Sequence, residues 1–199
     1  MKIYGDVHSG NCYKLKLLCS LLSIQHQWID VDILKGESQT AEFLRMNPNG
    51  KIPLLVTDTD EYLAESNSIL FYLAKNSHFL PQDDFQQAQV LQWQFFEQYS
   101  HEPYIAVARF IARYLGLPED RKAEYESKQS GGYRALDVME NQLQKTPFMV
   151  GNQCTIADIS LYAYTHVANE GGFDLYRYPA ILNWLKNIQS LNGYISMAG

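Results

Sequence analysis

A change of hydrophobic period near residue 80 constrains this chain more than any other feature. Before it, short alternating segments are interleaved with helix-length ones. "KIYGD" (2–6) alternates apolar and polar, "NCYKLKLLCSLLSI" (11–24) is helix-length and mostly apolar, and "QWIDVDIL" (27–34) alternates again. That pattern predicts a βαβ start whose first helix is largely buried. "SQTAEFLRMNP" (38–48) reads as a short helix stopped before Pro48, and "NPNG" as a turn. "KIPLLVTD" and "DEYLAES" read as a hairpin, and "SNSILFYLAKN" opens a helix with Ser66 as its cap. An α/β unit over residues 1–77 follows, ordered βαβ, helix, ββ, helix.

After the polar connector "SHFLPQDD" the strand signals stop, and an all-helical unit is expected over 86–199. The helix in "QQAQVLQWQFFEQYSHEPYIAVARFIARYL" should bend at Pro103, which has no N–H to give the carbonyl of Tyr99. Leu136, Met139 and Leu143 share one helical stripe, which Gly131 and Gly132 weaken. Thr155 with Asp158 three residues on forms a capping-box pattern. A last helix opens at Pro179 and carries Ile181, Trp184, Leu185 and Ile188 at core spacing.

Composition narrows the class. With 46% hydrophobic residues and 13% aromatics among 199, the chain has ample apolar surface to bury and reads as globular. Sixteen basic against 22 acidic residues give a net charge of -6 without a basic run, so a nucleic-acid partner is not expected. The longest apolar segments are interrupted by Lys16, Ser20 and Ser23, and Met1 leads straight into a strand. No membrane association and a cytoplasmic location are therefore expected. Cys12, Cys19 and Cys154 cannot form a complete disulfide framework, and seven residues along a helix separate the first two by about 10 Å. Reduced thiols follow. The five histidines lack metal-ligand spacing, so no metal site is expected, and no glycine-rich phosphate motif implies a nucleotide cofactor.

Three short stretches could carry chemistry. In "AES" (64–66) a strand hands over to a helix: a helix start with a hydroxyl holds a carboxylate, and Glu65 holds an ammonium. The plain alternative is that Ser66 caps the helix and Glu65 favours its positive end. "NGKIPLL" (49–55) places Pro53 at a strand entry. A cis Ile52–Pro53 bond there would turn the backbone of Ile52 outward to pair with an extended peptide. In "DVHSGNCYK" (6–14) Ser9 and Asn11 sit at the tip before the first helix, where donors stabilise an anion. No residue is placed to make Ser9 a nucleophile. Cys12 competes with them because a thiol at a helix start can ionise readily, yet it shares a stripe with Leu15, Cys19 and Leu22, which points to the core. There is no C-x-x-C for a two-thiol redox cycle.

Taken in register, "SGNCYKLKLLCSLL", "FLRMNPNGKIPLL", "LAESNSILFYLA" and "TIADISLY" resemble the glutathione S-transferase family across essentially the whole chain. The first motif is similar to the serine-using bacterial and theta-like branch, with Ser9 at the place of the thiol-contacting serine. Asn11 is similar to an asparagine that nu-type bacterial members set near the same sulfur. The resemblance implies a thioredoxin-like first domain and a helical second one. It implies glutathione as co-substrate, with no further cofactor, and a small hydrophobic electrophile as second substrate, held between the domains. Carried over residue by residue, Glu65 and Ser66 would hold the γ-glutamyl ammonium and carboxylate. Ile52, before a cis Pro53, would pair with the cysteinyl backbone, and Lys51, with Lys35 as a second candidate, would neutralise the glycyl carboxylate. Ser9 and Asn11 would keep the sulfur ionised. Lowering a thiol from about 8.5 by about 2 units takes roughly 2.7 kcal/mol of preferential anion stabilisation, within reach of a hydroxyl and helix N-terminal amides. Tyr99, Tyr104, Phe110, Tyr162 and His166 are candidates to line the electrophile site. The family implies a homodimer through the helix at Ser66 and the long helix before Pro103. Thr155 and Asp158 match its capping box and are structural. A glutathione-dependent disulfide reductase or peroxidase, and a non-catalytic binding protein on the same fold, are the alternatives.

Overall fold

A computed structural model of the chain describes residues 1–197. The last two positions of the helical domain expected to end at 199 lie outside the described residues. Two compact units are found: Met1–Ser77 with the segment from Leu191 onward, and His78–Ser190.

The first unit contains β1 (Lys2–Gly5), α1 (Gly10–Leu21), β2 (Gln27–Asp30), α2 (Ala41–Met46), β3 (Leu54–Val56), β4 (Tyr62–Ala64) and α3 (Ser66–Ala74). The sheet order is β2-β1-β3-β4. β1 and β2 are parallel, as a crossover helix between them requires, while β3 runs antiparallel to both β1 and β4. Side chains alternate between the two faces of the sheet, and the register sorts them. Ile3 faces Leu55 across the ladder, and both pack with Leu15, Cys19 and Ile69 from α1 and α3. One residue along, Tyr4 faces Leu54, which packs with Val31 and with Phe43 of α2. Local signals end the helices where they were read. Thr40 caps α2 by accepting from the N–H of Phe43 at 3.3 Å, and Asn47, before Pro48, is already extended.

The sequence assigned the segment after Leu191 to the helical domain, whereas the structure places it with the first unit. The Tyr13 hydroxyl donates to the Ile195 carbonyl at 2.7 Å, and the Ser20 hydroxyl to that of Gly193 at 2.7 Å. A short segment without periodicity gives no warning of where it docks.

The second unit contains α4 (Asp84–Phe96), α5 (Glu102–Arg109), α6 (Lys122–Leu143), α7 (Ile156–Thr165) and α8 (Pro179–Gln189). Between α4 and α5 the proline's missing N–H is absorbed by a π-helical turn, Glu97–His101, in which the Glu102 N–H donates to the Glu97 carbonyl. The capping box of α7 is present, and Asp158 does more than cap. Its carboxylate accepts from the N–H groups of Met149 and Thr155, both at 2.8 Å, and from Trp184 Nε1 at 2.9 Å. Three segments are tied together by one buried carboxyl group.

Gly131 and Gly132 do not interrupt α6; they let it approach its neighbours. A Cβ on Gly132 would clash with the buried ring of Phe173, and one on Gly131 with the half-buried ring of Tyr104. An alanine in a helix interior gains up to about 1 kcal/mol in propensity, while overpacking costs about 1–3 kcal/mol. The clash wins: Gly132→Ala is expected to lower the denaturant midpoint. A raised midpoint would show that Phe173 yields its place.

Candidate functional site

The site is built where β1 hands over to α1 and β4 to α3. Ser9 is the N-cap of α1, and its half-buried hydroxyl accepts the Cys12 N–H at 3.4 Å. Accepting that bond uses a lone pair and leaves the hydroxyl proton as a donor. Asn11 lies in the first turn of the same helix.

The reading of Ser66 as a helix cap is corrected. Glu65 occupies the N-cap of α3, and Ser66 is the first helical residue. The Ser66 hydroxyl turns instead to α1: it donates to Asn11 Oδ1 at 3.2 Å and accepts from Lys14 Nζ at 3.3 Å. Glu65 is exposed and held at φ +67°, a left-handed conformation that costs a non-glycine residue about 1–3 kcal/mol and concentrates at functional sites. Backbone strain therefore sits beside the amides that open α3.

The Ile52–Pro53 peptide bond is cis, directly before β3. Ile52 packs its side chain against Val31, Phe43 and Leu54. Lys51 is exposed, and its carbonyl accepts from Asn47 Nδ2 at 2.7 Å. Lys35, 78% exposed at its side chain, pairs with Asp32 at 2.9 Å, and that carboxylate holds the ammonium's pKa up. The structure thus brings Ser9, Asn11 and Ser66 together. Neither Lys35 nor Lys51 is joined to them by a hydrogen bond or ion pair among the described residues.

Cys12 is fully buried, and burial pushes its thiol up to about 12. The stripe it shares with Leu15 and Cys19 is core, as its spacing indicated, while Leu22, at the C-cap, is only half-buried. Tyr162, one of the candidates to line the electrophile site, is also fully buried, its ring stacked on His166 at 4.7 Å. Burial lowers His166 to about 4, so the imidazole is neutral at physiological pH. Tyr162 is core packing, and His166 is half-buried beside it.

One residue of the site was missed in the sequence. Lys14 is fully buried in the mostly apolar first helix. The available signal was its i,i+3 spacing from Asn11, which puts both on one side of the helix.

The family is now defined. Residues 8–76 match the glutathione S-transferase N-terminal domain and residues 87–192 the glutathione S-transferase C-terminal domain. The chain belongs to the glutathione S-transferase family. It is similar to a glutathione S-transferase of Pseudomonas fluorescens, with 58% identity and a TM-score of 0.98 over 100% of this chain and 98% of the other. It is 31% identical to the disulfide-bond oxidoreductase YfcG of Escherichia coli, over 90% of this chain and 86% of that one. A glutathione transferase of Phanerochaete chrysosporium solved with oxidised glutathione is 26% identical, with a TM-score of 0.86 over 96% and 91% of the two chains. Among the described residues no helix is long and apolar enough to cross a membrane.

Burial sets the reactivity of all three cysteines: it raises Cys19 to about 12 and Cys154 well above the usual thiol range. Native protein at pH 8 is expected to react with almost none of a thiol reagent, and denatured protein with three equivalents. Rapid native modification of Cys12, mapped by mass spectrometry, would return it to the list of nucleophiles.

Proposed function

We propose that the chain is a glutathione transferase that binds the tripeptide on its first unit and activates its thiol for attack on an electrophilic carbon. The observation that carries this reading is the 3.2 Å bond from Ser66 to Asn11, which couples the two expected ends of the ligand site. Ser9 donates its hydroxyl proton to the sulfur and Asn11 contributes an amide N–H, so the thiolate is favoured over the thiol. The ionised sulfur then forms a C–S bond with a small hydrophobic electrophile, and the displaced group leaves with the bonding pair. Because the Ser66 hydroxyl is committed to Asn11, the γ-glutamyl carboxylate falls to the backbone amides opening α3, which have no intrahelical acceptor. Glu65 takes the ammonium, Ile52 pairs with the cysteinyl backbone beside Pro53, and Lys51, helped by Lys35, faces the glycyl carboxylate. No cofactor beyond glutathione is required, and the three buried, unpaired thiols suit the reducing cytoplasm.

A second reading has a specific support, since the relative YfcG is named a disulfide-bond oxidoreductase. The same thiolate attacking a disulfide would yield a mixed disulfide, and a second glutathione would complete the reduction and leave glutathione disulfide. Cys12 takes no part in either reaction.

A homodimer is part of the proposal. Phe71 and Tyr72 of α3, and Phe85, Leu91 and Phe95 of α4, are large apolar side chains exposed on each unit. Sedimentation at micromolar concentration is expected to give twice the chain mass of 22.9 kDa. A monomer would overturn this part.

Thermal unfolding with glutathione at about 100 times its dissociation constant is expected to gain roughly 2.7 kcal/mol. Conjugation of a chlorodinitrobenzene-type electrophile should fall about 10²-fold in Ser9→Ala, the scale of one lost anion donor, and survive in Cys12→Ala. Absence of a glutathione shift would sink both readings. Disulfide exchange without conjugation would favour the second.

A further inference from the structure

We propose that Lys14 is a positioning residue that sets the polarity of the hydrogen-bond chain ending at Asn11, and so decides whether that residue shows the ligand sulfur a donor or an acceptor. The inference rests on the proposed glutathione reading and goes one step behind it, to a side chain that touches no ligand there.

Lys14 is fully buried in α1, with Nζ 3.3 Å from Ser66 Oγ. A buried ammonium is costly and is retained only with partners that accept from it. It has three N–H donors and no acceptor, so the Ser66 oxygen can only accept from it. With its lone pair turned to Lys14, the hydroxyl sends its single proton onward to Asn11, 3.2 Å away. The Asn11 atom facing Ser66 must then be the carbonyl oxygen Oδ1. The amide therefore turns its NH2 group, not its oxygen, to its remaining surroundings. Direction is the point of the arrangement: a primary amide is nearly symmetrical in shape, and only its neighbours determine which end faces an anion. An N–H stabilises a thiolate, and a carbonyl oxygen in the same place repels it.

Without the cation the order is no longer imposed. The Ser66 hydroxyl could accept from the Asn11 amide, the amide could rotate by half a turn, and its oxygen would replace the donor. Lys14→Met keeps the length and apolar stem of the side chain and removes only the charged head. In that variant the thiol of bound glutathione is expected to titrate about one to two pH units higher, the worth of one hydrogen bond to a charged group. Lys14 acts through Asn11, so in an Asn11→Ala background the same replacement is expected to shift the titration by much less.

The test follows thiolate ultraviolet absorbance of the glutathione complex against pH, with glutathione affinity from calorimetry and fold from the thermal midpoint. The variants are Lys14→Met, Lys14→Arg, Asn11→Ala and the double variant Lys14→Met/Asn11→Ala. A raised thiol pKa in Lys14→Met, near-normal titration in Lys14→Arg and a non-additive double variant support the assignment. Should Lys14→Met fail to fold, Lys14→Gln keeps a polar head that can accept as well as donate, so the direction is no longer imposed and the thiol pKa is expected to rise too. An unchanged titration in a folded variant that still binds glutathione overturns the inference and leaves the functional reading intact. Equal shifts with and without Asn11 overturn it as well, since the charge would then act directly. Wild-type protein that binds no glutathione, or binds it with an unperturbed thiol, overturns the functional reading and the inference together.

Discussion

Helix α1 is buried on almost every side, and the first unit is arranged around that fact. Cys12, Tyr13, Lys14 and Leu15 follow one another without a solvent-facing position, because the sheet, α3 and the returning segment after Leu191 all pack on this helix. A helix so enclosed cannot shift without disturbing the ladder partners Ile3 and Leu55. Its first turn is therefore a rigid platform, and Ser9 and Asn11 inherit that rigidity. Precision of this kind is what anion stabilisation needs, since the value of a donor falls quickly with misplacement.

The polar residues of the first unit follow from the same enclosure. Lys14 enters the interior with its partner supplied by another helix, so the contact between α1 and α3 combines the apolar pair Leu15 and Ile69 with a polar bridge through Ser66. Apolar packing sets how close the helices come, and the polar bridge selects their register. Ser66 consequently ties α3 to α1, and Glu65 beside it holds a backbone conformation that few side chains tolerate.

Much of this was legible in the sequence where the controlling physics is local. The period change, the stop before Pro48 and the Thr155–Asp158 box depend on residues a few positions apart, and their patterns survive in one dimension. Reading failed where a partner comes from far along the chain. Ser66 looked like a cap because its bond to Asn11, 55 residues away, leaves no local mark. Lys14 gave no sign of its buried partner for the same reason. Pro103 announced an interruption, but the sequence did not say that an added π-turn would take it up. Gly131 and Gly132 looked like weaknesses because their function, close approach to Tyr104 and Phe173, belongs to the partners.

The bond between Tyr13 and Ile195 spans 182 positions, which gives it a meaning during biosynthesis. A ribosome delivers β1 and α1 early, and domains generally fold as units in the order they emerge. The backbone that accepts from Tyr13 and Ser20 emerges only after all five helices of the second unit. The nascent first unit therefore waits, with one flank of its central helix uncovered, until residues 193–195 have been made. A premature stop after α8 would release a chain with every catalytic candidate in place and that flank still open.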